Sequence, residues 1–127
     1  MKATVMLLIV LVAGCKSNQQ DKNCGADFEI FFKKFASDSV FQKRHVYFPL
    51  INLYNDSDDL KREQVGANNY IFTDFSEDRK LYDISTEIKK DSVIYTRLWR
   101  ENYGAMTFKF ARKNGCWMLV EFRDITD

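Results

Sequence analysis

Between Asp27 and Ala36 (DFEIFFKKFA) the apolar residues fall at helical spacing. Phe28, Phe31, Phe32 and Phe35 share one side, and Glu29, Lys33 and Lys34 lie on the other. The spacing predicts a short amphipathic helix whose aromatic stripe belongs to a core. Ser39-Val40-Phe41-Gln42 fits a capping box, in which the serine and glutamine satisfy amides at a helix start, so a second short helix runs to about Arg44. Val46 to Tyr54 (VYFPLINLY) is apolar and β-prone, and Pro49 places it at a sheet edge or a bulge. Asn55 to Asp59 (NDSDD) reads as a loop capping a weak helix from Leu60 to Val65, and Tyr70 to Phe75 as a strand or extended segment. From Asp83 the period changes to two: Ile84, Thr86 and Ile88 alternate with Ser85, Glu87 and Lys89. Asp91-Ser92 turns the chain into three longer strands, Val93 to Arg100, Ala105 to Lys113 and Cys116 to Ile125. Helices followed by an antiparallel meander make an α+β domain, with the helices on one face of the sheet.

Asn114-Gly115 is a strong two-residue hairpin signal, because a type I′ turn needs positive φ at both central positions. Counting back from it sets Arg112 opposite Trp117, Phe110 opposite Leu119, Phe108 opposite Glu121 and Met106 opposite Arg123. With Glu101 to Gly104 as the preceding loop, one face carries the rows Trp99–Met106–Arg123, Arg97–Phe108–Glu121, Tyr95–Phe110–Leu119 and Val93–Arg112–Trp117. This aromatic face is assigned to the phenylalanine helix. Arg97 and Glu121 then flank Phe108, where they either pair with each other, snorkel to the open end of the sheet or reach a ligand between them. The opposite face carries Ile94, Leu98, Met118, Val120 and Phe122.

The N-terminus changes the picture of where this domain sits. Lys2, an apolar core from Val5 to Val12 and the small residues Ala13 and Gly14 form the three parts of a secretory signal. The core is far shorter than the roughly 18–20 apolar residues that cross a bilayer. Val12-Ala13-Gly14-Cys15 resembles the lipobox of bacterial lipoproteins, in which a peptidase cuts before a cysteine carrying a diacylglycerol thioether. The resemblance implies a signal peptide at residues 1–14 and acylation of both the sulfur and the new amine of Cys15. Residues 15–23, polar after the cysteine, read as a flexible tether, and residues 24–127 as a single domain. The implied location is the cell envelope, lipid-anchored and facing the periplasm or the outside.

Losing Lys2 from the 19 Lys and Arg leaves 18 cations against 18 acidic residues, which argues against nucleic acid as a partner. Eleven Phe, 6 Tyr and 2 Trp with a single Pro are the composition of a packed domain. Cys24 and Cys116 remain once Cys15 is acylated, and they either pair across most of the domain or stay as thiols. His45 is the lone histidine, so a nucleophile–histidine site would have to be built on it; an exposed or locally bonded role fits better. One histidine and no CxxC leave no zinc pattern, NDSDD lacks the glycine and terminal glutamate of an EF-hand loop, and nothing calls for a cofactor.

FEIFFKKFASDSVFQKRHVYFPL (Phe28 to Leu50) and ARKNGCWMLVEFRD (Ala111 to Asp124) together resemble a family of exported lipoproteins of unknown function from Gram-negative gut and oral bacteria. That family is similar in turn to the nuclear-transport-factor-2-like fold. The resemblance implies a curved antiparallel sheet wrapped round an N-terminal helix into a cone, and it implies no activity. The leading expectation is a non-catalytic module binding a small molecule or peptide, lined by Tyr95, Trp99, Phe108 and Trp117 with Arg97 and Glu121 as polar handles. A second is an interaction module whose opposite face docks another copy or an envelope protein. A third is a hydrolase or isomerase using Glu121, disfavoured because no second catalytic group accompanies it.

Overall fold

The computed structural model describes residues 23–101 and 104–126. The expected signal peptide, Cys15 and the expected tether as far as Lys22 lie outside the described residues. The phenylalanine stripe forms helix α1 (Phe28–Phe35), with Glu29 in its first turn and Lys33 and Lys34 in its last, each complementing the helix dipole. Helix α2 (Ser39–Arg44) follows, but its cap is Asp38 rather than Ser39. The Asp38 carboxylate accepts from the Val40 and Phe41 amides at 3.1 and 3.0 Å. Gln42 is thereby released from the capping box. It lies fully buried, its Nε2 donating to Phe35 O (2.9 Å) and Thr73 O (2.7 Å) while its Oε1 accepts from the Tyr70 hydroxyl and the Thr73 amide.

Six strands form one mixed sheet in the order β2-β1-β6-β5-β4-β3. They are β1 (Val46–Asp56), β2 (Asp59–Val65), β3 (Tyr82–Ile88), β4 (Ser92–Trp99), β5 (Gly104–Lys113) and β6 (Cys116–Thr126). All neighbours are antiparallel except β1 and β6. One expectation changes here. Leu60 to Val65 is a strand, joined to β1 by a tight turn in which Ser57 takes φ 55°. Strand β1 is interior, and of the two places open to Pro49, a sheet edge or a bulge, it takes the bulge. Its register with β6 jumps between Val46 and Ile51, and its ladder with β2 begins at Leu50. Pro49 therefore sits in a bulge where neither neighbour asks for an amide hydrogen. Tyr70 to Phe75 joins no ladder. Its tie to Gln42, and the Phe75 amide donating to Ala36 O at 3.0 Å, hold it against the end of α1.

Asn114 and Gly115 both take positive φ, 51° and 78°, and the turn sets Lys113 opposite Cys116 and Phe110 opposite Leu119 as its sequence requires. Beyond that point the register shifts: Lys109 opposes Glu121 and Phe110 opposes Leu119, leaving Val120 as an extra residue. The bulge reverses the facing of everything after it. Phe122 turns inward and stacks on Phe108 at 4.9 Å between centroids, while Glu121 pairs in register with Lys109 on the other face. Between β4 and β5 the observed pairs are Val93–Phe110, Tyr95–Phe108 and Arg97–Met106, two residues from the expected register. An even offset keeps each side chain on its expected face.

Candidate functional site

Helix α1 lies across the inner face of the sheet and fills the centre of the cone. Phe28 meets Phe110 and Trp117 at 5.1 and 5.5 Å, Phe32 meets Tyr95 at 4.6 Å, and Phe35 meets Phe110 at 5.2 Å. Phe75 closes one side, edge-on to Phe108 at 4.8 Å and to Phe32 at 5.4 Å. Tyr95, Phe108 and Trp117, expected to line a hollow, are buried core residues. Trp99 is part-exposed at the end of β4 and packs edge-on against Tyr82.

Arg97 points inward as expected, but its partner is Asp78 and not Glu121. Arg97 Nε donates to Asp78 Oδ2 and Nη2 to Oδ1, each at 2.7 Å, and Nη2 also reaches Asp74 O at 3.0 Å. The Tyr95 hydroxyl donates to Asp78 Oδ2 at 2.7 Å. The guanidinium lies over the Phe75, Tyr82 and Phe108 rings at 4.5, 5.0 and 5.3 Å. Asp78 opens the one-turn helix α3 (Asp78–Leu81), inside a polar stretch that carries no apolar period. Burial first, and then the Asp78 hydrogen bond and charge, push the Tyr95 phenol far above its ordinary pKa. The network is closed, bidentate and ringed by aromatics, so it fixes the corner at Phe75–Asp78 rather than offering free polar groups.

The open space lies beside this corner. On β4, Val93 is fully buried and Tyr95 nearly so, but their partners on β3, Ile88 and Thr86, are exposed although they face the same way. The edge strand thus carries bare inner surface, and a groove of about 820 Å³ runs between it and α1. Phe28, Phe32, Phe75, Tyr95 and Ile88 supply its apolar surface, while Glu29, Lys33 and Arg79 stand at its rim. The size and composition suit a small amphipathic molecule. Sequence periodicity gave no pointer to it, because the groove depends on how far α1 reaches across the sheet.

His45 is buried and, of its two expected roles, takes the locally bonded one: Nδ1 is 2.7 Å from Phe41 O and the ring stacks on Phe41 at 4.0 Å. Cys24 and Cys116 form a disulfide with Cα atoms 4.7 Å apart. Glu121, on the outer face, is separated from the Arg97 network by the sheet itself. That face keeps Ile94, Leu98 and Met118 but loses Phe122 to the core. Among the described residues no cluster of three His, Cys, Asp or Glu is arranged to hold a metal ion.

No protein-family model matches the sequence, and no curated protein matches it. Among solved structures, an NTF2-like protein (BF2862) from Bacteroides fragilis NCTC 9343 aligns with a TM-score of 0.59 at 22% identity, over 80% of this chain and 48% of that one. This chain therefore spans about half the length of that relative. An NTF2-like protein of unknown function (SPO1084) from Silicibacter pomeroyi DSS-3 aligns with a TM-score of 0.42 at 11% identity, over 79% of this chain and 89% of that one. The helices packed on a curved six-stranded sheet, and the first of these alignments, give the chain an NTF2-like α+β cone fold.

Proposed function

We propose that the chain is a lipid-anchored, non-catalytic binding module, and that the groove between α1 and β3 holds an amphipathic small molecule. One observation carries the binding reading: the inner face of β3 is left bare at Thr86 and Ile88, with Ile88 56% exposed beside a cross-strand partner, Val93, at 0%. Apolar surface facing an existing core, open at one side and rimmed by Glu29, Lys33 and Arg79, suits an elongated apolar body with a charged head. The anchor half of the reading rests on the lipobox-like Val12-Ala13-Gly14-Cys15 behind its apolar core.

A dansyl-labelled long-chain fatty acid tests the groove by fluorescence titration. Saturable one-to-one binding is expected, weakened at least about tenfold by Thr86→Trp, which fills the groove, and unaffected by Leu60→Trp on the exposed β2. Equal binding by wild type and Thr86→Trp refutes the site. Metabolic labelling with an alkyne fatty acid tests the anchor, with label expected on wild type and lost in Cys15→Ala.

A further inference from the structure

We infer that the end of the domain bearing the Cys24–Cys116 disulfide is a membrane-facing surface that rests on anionic lipid headgroups. Its occupant follows from the anchor half of the proposed function, and the inference adds an orientation and a lipid preference to that reading.

The topology gathers at this end cations that are scattered in the sequence. Helix α2 finishes on Lys43 and Arg44, and β1 then starts level with Leu119 near the beginning of β6. Strand β5 finishes on Arg112 and Lys113, against the Asn114–Gly115 turn. The turn between β3 and β4 contributes Lys89 and Lys90 and is joined to the same place by the Arg112 amide, which donates to Asp91 O at 3.0 Å. Lys113 Nζ lies 5.2 Å over the ring of Tyr47, which is half exposed. An exposed tyrosine between lysines suits the boundary between headgroups and water. Opposing acids are fewer: Asp91 stands 3.9 Å from Arg112, Glu87 stands 3.6 Å from Lys89, and Asp27 and Glu29 at the start of α1 share a hollow with Lys89, Lys90 and Arg112. At the other end of the strands the β1–β2 turn carries Asp56, Asp58 and Asp59, and Asp124 lies level with Tyr54, offset by Lys61, Arg62, Arg100 and Arg123. A chain with balanced charge thus carries a cation excess at the disulfide end and an aspartate-rich turn at the other.

The covalent layout puts the cationic end nearest the bilayer. Cys24 is bonded to Cys116 beside the cationic turn, and only eight residues, Lys16 to Asn23, separate it from Cys15. Eight residues span at most about 28 Å. The field of an anionic surface decays over about 8 Å at physiological salt, so only the near end experiences it. Orientation then follows from charge complementarity. The cationic end is held down, and the acidic turn is kept away.

The test uses the full chain reconstituted in vesicles of phosphatidylcholine alone or mixed with phosphatidylglycerol, read by hydrogen exchange and mass spectrometry. Slower exchange across residues 43–47, 89–92 and 112–115 is expected only in the phosphatidylglycerol vesicles, with residues 56–59 unchanged. The slowing should vanish in high salt and in the combined variant Lys43→Gln, Arg44→Gln, Lys89→Gln and Lys90→Gln, each neutralised cation weakening the contact about fivefold. Equal exchange in both vesicles, or slowing at 56–59 instead, overturns the inference. Intact mass reports acylation separately. An unacylated chain sinks the anchor reading alone, and its cosedimentation with phosphatidylglycerol vesicles still decides the surface: salt-sensitive binding supports it, and none overturns it.

Discussion

Replacing Asp78 with alanine strands a guanidinium that the fold has already taken from water. The side chains of Arg97 and Asp78 are 8% and 3% exposed, and both carboxylate oxygens receive 2.7 Å bonds from Arg97. Breaking a buried pair from one side costs about 3–5 kcal/mol, and the Tyr95 hydroxyl loses its acceptor as well, at about 1 kcal/mol. Asp78→Ala should therefore destabilise by about 4–6 kcal/mol, and Arg97→Met by about 3 kcal/mol, since the Tyr95 hydroxyl still donates to the carboxylate that remains. Deleting the whole network is different. In the triple variant Asp78→Leu, Arg97→Met and Tyr95→Phe, apolar side chains occupy a site walled by Phe75, Tyr82 and Phe108, and stability should return to within about 1–2 kcal/mol of wild type. Urea unfolding followed through the buried Trp117 measures this. With a slope of about 2 kcal/mol per M, Asp78→Ala moves the midpoint by about 2–3 M. Single-variant losses below about 1 kcal/mol, or losses that simply add in the triple variant, refute a closed, water-excluded ion pair.

Gln42→Leu removes both partners that Thr73 finds on this side chain and the acceptor of Tyr70, so a loss of about 2–4 kcal/mol is expected, with faster hydrogen exchange confined first to residues 70–75. Reducing the disulfide, which links residues 92 apart, should lower unfolding stability by about 4–5 kcal/mol in the loop-entropy account, measured as the urea midpoint with and without reductant. Burial raises the phenol pKa of both Tyr70 and Tyr95 above the ordinary value of 10.0. The unfolded chain then releases those protons first, so stability is full below about pH 10 and falls above it. Urea midpoints between neutral and strongly alkaline pH should show that decline, and Tyr70→Phe and Tyr95→Phe should each flatten it.

The parts of this fold that the sequence reveals are those governed by local periodicity or by one obligatory turn. The α1 stripe and the strands around Asn114-Gly115 are of this kind, since burying one face or adopting positive φ leaves a residue-by-residue imprint. Strand β2 leaves none: six of its seven residues are exposed, so neither alternation nor a helical stripe marks it, and its pairing comes from β1 alone. The bulge at Val120 is similarly silent, and a single extra residue was enough to exchange Phe122 for Glu121 at the core. The ion pair failed to be foreseen for a related reason. Asp78 lies in SEDRK, where either of two acids reads as solvated, and the turn set by Phe75 aims that one inward. Gln42 shows the same limit, because a polar side chain becomes core when its partners come from a segment some 30 residues away.

The bond between Cys24 and Cys116 also decides how the domain carries a mechanical load. Tension entering from the N-terminal side passes through sulfur into β6, which is flanked on both sides by paired strands. Helix α1 begins four residues further along and lies outside that path, so a pull on the leash cannot peel the phenylalanine stripe off the sheet one turn at a time. Rupture would have to shear central strands together, which leaves the domain far better suited to being tugged from that end than from its other one.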